Sequence, residues 1–400
     1  MSMYITKNES ASGMKVVLDD MILTKEIPTT AGSKMLDGYV SLFEAEVITR
    51  LTNAGYVLAG KSDVGEFNID LLGETSYNGA IISQGNIKNA SAEIIKSEEA
   101  IASINLDVNG VCRRACAQND LVSIKPTYGT VSRYGVIAVA CSGETVSVMS
   151  NNTQTCQDVL DVIAGHDNKD GTSLDDNDCA KLKSESEVKS VKKVAILSSM
   201  LKGIDRDISA KIEKAKKVLQ ENSVELCVID DEIICLSRPA WNILMSAELC
   251  NNVSKYDGVK YGYRAQDFSG IDELYTNSRT QAFGELLKKA ILFGSDTLST
   301  ENYKKVYDKA LRSRRVILNE FNRIFVEYDA ILIPACSTLN YSAELIDSKN
   351  AFSFEENYYT APASITGLPA VVVNGVQFVG KAFSERALLS IAKLFEKEGK

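Results

Sequence analysis

The chain has 400 residues, 45% of them hydrophobic, and a formal net charge of −9 with an isoelectric point near 5.0. That is enough apolar material for one large domain or two smaller ones, which sets aside a disordered polypeptide. The acidic balance excludes a general affinity for the phosphate backbone of DNA or RNA, and no uncharged apolar run approaches the ~20 residues that span a bilayer.

In chain order, the first clear element is a helix expected over residues 43–54, FEAEVITRLTNA. It places Val47, Ile48 and Leu51 on one face and is stopped by Gly55. A strand, YVLAG, follows. Residues 166–190, HDNKDGTSLDDNDCAKLKSESEVKS, are almost free of large apolar side chains and read as an exposed polar loop. Beyond them, β-branched runs at Val194–Leu197, Val224–Ile229, Ile331–Ile333 and Val371–Val373 read as buried strands. Helical stripes lie between or after these runs. One is formed by Ile208, Ile212, Ala215 and Leu219; another follows Ser384 with Leu388, Leu389, Ile391 and Leu394. Alternation of this kind predicts an α/β layered fold.

Generic chemistry motifs are scarce. The chain lacks a phosphate-binding G-x-x-x-x-G-K-[ST], a dinucleotide-type G-x-G-x-x-G after a strand, H-E-x-x-H and C-x-x-C, so no cofactor or metal is expected. The nine cysteines are scattered, and the opening MSMYITKNESASG has no apolar segment, which reads as a reduced, cytoplasmic protein. The single histidine, His166, sits in a polar turn. Cys112 and Cys116 flank Arg113 and Arg114 and read either as an activated thiol or as small fillers on a buried helix. The acidic pairs Asp19–Asp20, Glu98–Glu99 and Asp230–Asp231 read mostly as solvated surface.

Several longer words carry a resemblance. MILTKEIPTTAGSKML (21–36), AEVITRLTNAGYVLAGKSDVGEF (45–67), SIKPTYGTVSRYG (123–135) and VIAGHDNKDGTS (162–173) run in order along the chain. They are followed by YGYRAQDFSGIDELYTNSRTQAFG (261–284), YDAILIPACST (328–338) and TAPASITGLPAVVV (360–373). Together they resemble the amidase-signature family, and within it the A subunits of glutamine-dependent tRNA amidotransferases. The resemblance implies a single domain over 1–400 with a mixed central β-sheet and helices on both faces. It also implies that much of the family's N-terminal helical region has no counterpart before Met14.

Enzymes of that family cleave amides with a serine nucleophile, a bridging serine and a lysine base. Aligned without gaps from Lys125, the nucleophile position is Val111 and the bridging position is Ile87. The lysine position, read from the opening motif, is Asp19. No catalytic residue of the triad is therefore intact. For a substrate pocket, the resemblance implies Arg314 for an α-carboxylate, Tyr261 or Tyr263 as a pocket tyrosine, and Asn357 where an acidic residue would meet an amino group. Arg314 reads equally as a helix-surface cation. Two functions follow: a pseudoenzyme scaffold that docks subunit-B-like and subunit-C-like partners and meets tRNA only through them, or an amidotransferase whose chemistry has moved to other residues.

Overall fold

The computed structural model describes residues 2–184, 191–347 and 352–398. Thirteen strands are β1 (Tyr4–Lys7), β2 (Lys15–Asp19), β3 (Val57–Ser62), β4 (Ile81–Ser83), β5 (Asn86–Lys88), β6 (Ala102–Asp107), β7 (Val122–Lys125), β8 (Thr145–Ser150), β9 (Lys193–Leu197), β10 (Glu225–Ile229), β11 (Ala330–Pro334), β12 (Ala370–Val373) and β13 (Val376–Gly380). Eleven of them form one sheet in the order β1-β3-β2-β6-β8-β7-β12-β13-β11-β9-β10, while β4 and β5 make a separate hairpin. The sheet is mixed: β2 runs parallel to β3 and β6, and β9 to β10 and β11, whereas β7, β8, β12 and β13 meet their neighbours antiparallel. Every residue of β6, β7, β8, β11, β12 and β13 is buried, so both faces of the central sheet are covered. The α/β architecture and the single mixed sheet agree with the sequence reading.

The helices form where the apolar period places them. Glu46–Asn53 buries Val47, Ile48 and Leu51, and Gly55 follows with φ 87. The helix begins later than expected because the preceding chain is pinned: the Ala45 amide donates to the Leu23 carbonyl at 2.9 Å and Ser41 Oγ to the Phe43 carbonyl at 2.7 Å. Arg206–Glu221 buries Ile208, Ile212, Ala215 and Leu219 and is capped by the Asp205 carboxylate. In Glu385–Ala392, by contrast, Ser384 makes no capping bond; its hydroxyl donates back to the Lys381 carbonyl at 2.6 Å.

Two expectations are corrected. Of the run 224–229, Val224 is buried, but the strand itself, β10 (Glu225–Ile229), lies at the edge of the sheet and is half-exposed rather than buried, with Val228 64% exposed. The polar stretch 166–190 is folded as far as it is described, up to residue 184. The Asp170 carboxylate accepts the Arg133 and Thr172 amides at 2.8 and 2.9 Å, and a helix runs Asp176–Ser184 with Cys179 and Leu182 buried. Short polar side chains hold that segment by bonding its own backbone, a pattern that apolar periodicity does not register. Residues 185–190 lie outside the described residues.

Candidate functional site

Of the three positions matched to the triad, Asp19 ends β2 and Val111 begins the helix Val111–Asn119 just beyond β6, while Ile87 lies in β5. Asp19 and Asp20, expected on the surface, are 1% and 0% exposed. They point apart, each into its own set of donors. Asp19 accepts the Leu106 amide at 2.6 Å, the Asn68 side-chain amide at 3.0 Å and the Met21 amide at 3.1 Å. Burial pushes its carboxyl up to about 7 against those bonds. Asp20 forms an ion pair with Lys61 at 2.8 Å and accepts the Thr30 amide and hydroxyl at 2.7 and 2.6 Å. Lys61 also donates to the Pro28 carbonyl at 3.1 Å and to the Thr29 hydroxyl.

Ile87 is fully buried in the β4–β5 hairpin. Its amide donates to the Tyr341 carbonyl at 2.8 Å, and its carbonyl accepts Gln118 Nε2 at 2.9 Å. Val111 opens its helix at 4% exposure. Gly110 before it adopts φ 87, and a Cβ there would lie 2.4 Å from the Thr360 side chain, so this turn excludes any larger residue. Cys112 and Cys116 are both buried on the helix. Hydrogen bonding to Cys116, followed by burial, raises the Cys112 thiol, which is the opposite of activation.

The helix that Val111 opens carries two buried arginines. Arg113 pairs with Asp107 at 2.8 Å and donates to the Thr360 carbonyl, Gln377 Oε1 and Ser364 Oγ at 2.8, 2.9 and 2.8 Å. Burial works to raise the Asp107 carboxyl, but the Arg113 charge brings it below the usual range. Arg114 donates to the carbonyls of Asn109, Asp70 and Leu71 at 2.7, 2.9 and 3.2 Å. Trp241 Nε1 donates to Asn109 Oδ1 at 3.1 Å. The result is a polar plug rather than an open pocket. Ser91, on the helix Ala90–Lys96, is 2% exposed and bonded to the Ser62 hydroxyl at 2.7 Å.

The expected substrate positions lie on separate elements. Arg314, on the helix Asp308–Ile324, donates to the Ser142 carbonyl at 3.0 Å. Asn357 is fully buried and donates to Asn242 Oδ1 at 2.7 Å. The Tyr263 hydroxyl donates to Gln281 Oε1 at 2.9 Å. Tyr261 lines one cleft, and the carbonyl partner of Arg314 lines a different one. His166 holds its turn together, with Nδ1 2.7 Å from the Leu174 carbonyl and Nε2 2.8 Å from Asn168 Oδ1. Among the described residues, no group of three or more His, Cys, Asp or Glu side chains is arranged to hold a metal ion, and no helix is long and apolar enough to cross a membrane.

The family model described as Amidase matches residues 5–389. The chain belongs to the amidase family. It is 32% identical over 407 residues to the A subunit of the glutamyl-tRNA(Gln) amidotransferase of Caldanaerobacter subterraneus, covering 96% of this chain and 83% of that relative. Its fold superposes with a TM-score of 0.81 on the A subunit of the Thermotoga maritima glutamyl-tRNA(Gln) amidotransferase, at 26% identity over 98% of this chain and 87% of that one. The allophanate hydrolase of Kluyveromyces lactis shares the fold alone, with a TM-score of 0.78 at 21% identity, over 96% of this chain and 61% of that one.

Within this amidase fold, the sequence reading passed over several buried ionisable groups. Lys61 is one. Glu66 accepts the Ser33 hydroxyl at 2.6 Å and the Gly284 amide at 2.8 Å, and burial pushes it up to about 7. It ties the 21–36 segment to the helical layer. Lys125 donates to the Leu368 carbonyl at 3.0 Å and is pushed down to about 7 by burial. Lys61 and Glu66 lie in GKSDVGEF and Lys125 in SIKPTYG, both within the words that carry the family resemblance; that membership was the available signal.

Proposed function

We propose that this chain is a member of the amidotransferase group, related to its A subunits, that has lost amide chemistry and acts as a scaffold or regulator in the cytoplasm. One observation carries the reading: the three positions matched to the catalytic triad hold Asp19, Ile87 and Val111. Covalent amide cleavage needs a heteroatom to attack the carbonyl, and an isopropyl group has none. The proton must pass through a hydroxyl to the base, and a sec-butyl group offers only carbon. Asp19, bound to the Leu106 and Met21 amides and to Asn68, lacks the amine that serves as base in this relay. These losses lie on one pathway, so each suffices and they do not add.

The partners that suit this reading are subunit-B-like and subunit-C-like proteins, with tRNA reached through them. Purified chain, alone and mixed with such subunits, is expected to release no ammonia from glutamine or asparagine above a no-enzyme control, and to co-purify with the subunits when co-expressed. Ammonia release abolished by Cys112→Ala or Ser91→Ala would establish relocated catalysis and overturn the scaffold. Failure to co-purify with either subunit would remove the docking half of the reading.

A further inference from the structure

Next to the segment that follows Asp20 lies a cleft of about 600 Å³, within the ~300–1,000 Å³ usual for small-molecule sites. Its walls are apolar: Leu23, Leu36, Val136, Ile137 and Tyr256. Backbone bonds hold them in place, from the Leu23 amide to the Gly135 carbonyl at 2.8 Å, Ile137 to Met21 at 2.9 Å and Tyr263 to Met35 at 2.7 Å. Gly262, at φ 83, lets the turn before Tyr263 lie against Met35, since a Cβ there would sit 2.5 Å from the Met35 sulfur. Two aromatic side chains stand at the mouth, Tyr39 at 40% and Tyr261 at 61% exposure.

Charge gives the cleft a sign. Lys255 and Lys260 line it against one exposed carboxylate, Asp37, in a chain whose overall charge is −9. Neither lysine makes a salt bridge among the described residues; the Lys255 ammonium lies 5.2 Å from the Tyr256 ring centroid. The acid nearest in sequence to Lys260, Asp257, accepts the Val259 and Lys260 amides at 2.8 and 2.9 Å; those bonds, and to a lesser degree the Lys260 charge, hold its carboxyl below the usual range, and it does not line the cleft. Apolar walls, aromatic lips and an excess of ammonium groups match a ligand with an apolar body and one anionic end.

We infer that this cleft binds a small aromatic or branched aliphatic carboxylate, its body against Leu36, Ile137 and Tyr256 and its carboxylate at Lys255 and Lys260. Of the positions matched to the family's site only Tyr261 lines it, and none of Asp19, Ile87 or Val111, on which the scaffold reading rests, does, so this inference and that reading stand or fall separately.

Calorimetric titration of the full chain with 3-phenylpropionate and with its neutral amide, 3-phenylpropionamide, tests it. The acid is expected to bind about fivefold more tightly than the amide, the worth of roughly 1 kcal/mol from rim charges. The double variant Lys255→Ala/Lys260→Ala is expected to lose that preference and Ala138→Phe, which fills the cleft, to bind neither compound. Equal affinity for acid and amide, no saturable binding of the acid, or binding undiminished by Ala138→Phe in a folded variant would overturn it. The double lysine change touches only exposed side chains, so the acid–amide preference decides the matter even if Ala138→Phe does not fold.

Discussion

The plug at the ends of β2 and β6 and the sheet segment around β9 and β11 are equally buried, yet opposite forces hold them. In β9 and β11, Val194 to Leu197 and Ala330 to Ile333 are each no more than 1% exposed and wholly apolar, so their side chains stabilise the fold through burial, by about 1.5–3 kcal/mol for each large one. In the plug, Asp19, Asp20, Lys61, Asp107, Arg113 and Arg114 are no more than 1% exposed; Asp107 is held by Gly110 and Arg113 close by in the chain, and the others depend on partners from other segments. The difference teaches that the same degree of burial carries different tolerance. The apolar layer accepts side chains of similar volume, whereas the polar plug is satisfied as a whole or becomes costly.

The largest effect should come from breaking the plug. Arg113→Ala leaves Asp107 buried without its ion-pair partner and takes a donor from Thr360, Gln377 and Ser364. The expected loss is about 3–5 kcal/mol by urea denaturation. Arg113→Lys should not rescue it, because a single ammonium cannot reproduce the fork of bonds. A loss under about 1 kcal/mol would mean that the plug does not behave as one rigid unit.

The apolar layer is expected to respond differently. Leu332→Ala in β11 should cost about 2–5 kcal/mol through its cavity, but Leu332→Met less than about 1.5 kcal/mol. The contrast between a tolerated conservative change here and an untolerated one at Arg113 is the sharpest form of the comparison; similar penalties for Leu332→Met and Arg113→Lys would erase it.

This contrast also explains what was legible in the sequence. Val371 to Val373, Ile331 to Ile333 and the stripe from Ile208 to Leu219 announce themselves because a period of two or 3.6 is a local property. The plug has no local signature. The amide donors on Asp19 Oδ2 come from 49 and 87 residues away, and Arg113 reaches acceptors 247 and 264 residues away. Asp19–Asp20 therefore reads as two surface acids. β10 was misread for the converse reason: its composition is that of an interior strand, and only the strand order puts it at an edge. Of the candidate site, the family words supply Asp19, Ile87 and Val111 only as the positions where a triad is expected. The filling of their surroundings by Arg114, Trp241 and Asn109 was not legible.

A smaller effect separates the regions by pH. Asp70, fully buried, is pushed up to about 8 by burial and then by Glu74, while an unfolded aspartate titrates near ~3.9. Between those values the folded state binds more protons than the unfolded one, so stability falls as pH rises through the window, by up to about 1.4 kcal/mol per pH unit for one group. Asp70→Asn stays neutral and keeps an oxygen to accept the Thr75 amide and hydroxyl, which Asp70 Oδ2 accepts at 2.9 and 2.8 Å. Urea midpoints between pH 5 and pH 8 should decline less steeply in the variant; an unchanged slope would show that Asp70 is ionised throughout.

The smallest effect is expected at the margin of the apolar layer itself. Val228 in β10 and Val194 in β9 are the same residue in paired parallel strands, but Val228 is 64% exposed and Val194 is fully buried. Threonine keeps the β-branched shape, so the two changes differ only in where the hydroxyl goes. At Val228 it meets water, and Val228→Thr should alter stability by no more than about 0.5 kcal/mol. At Val194 it enters an apolar interior, and Val194→Thr should cost about 1–3 kcal/mol. If the two variants unfold at the same urea concentration, β10 is not an open edge in solution. Another surface must then cover it, and the edge would be the first place to look for a docked partner.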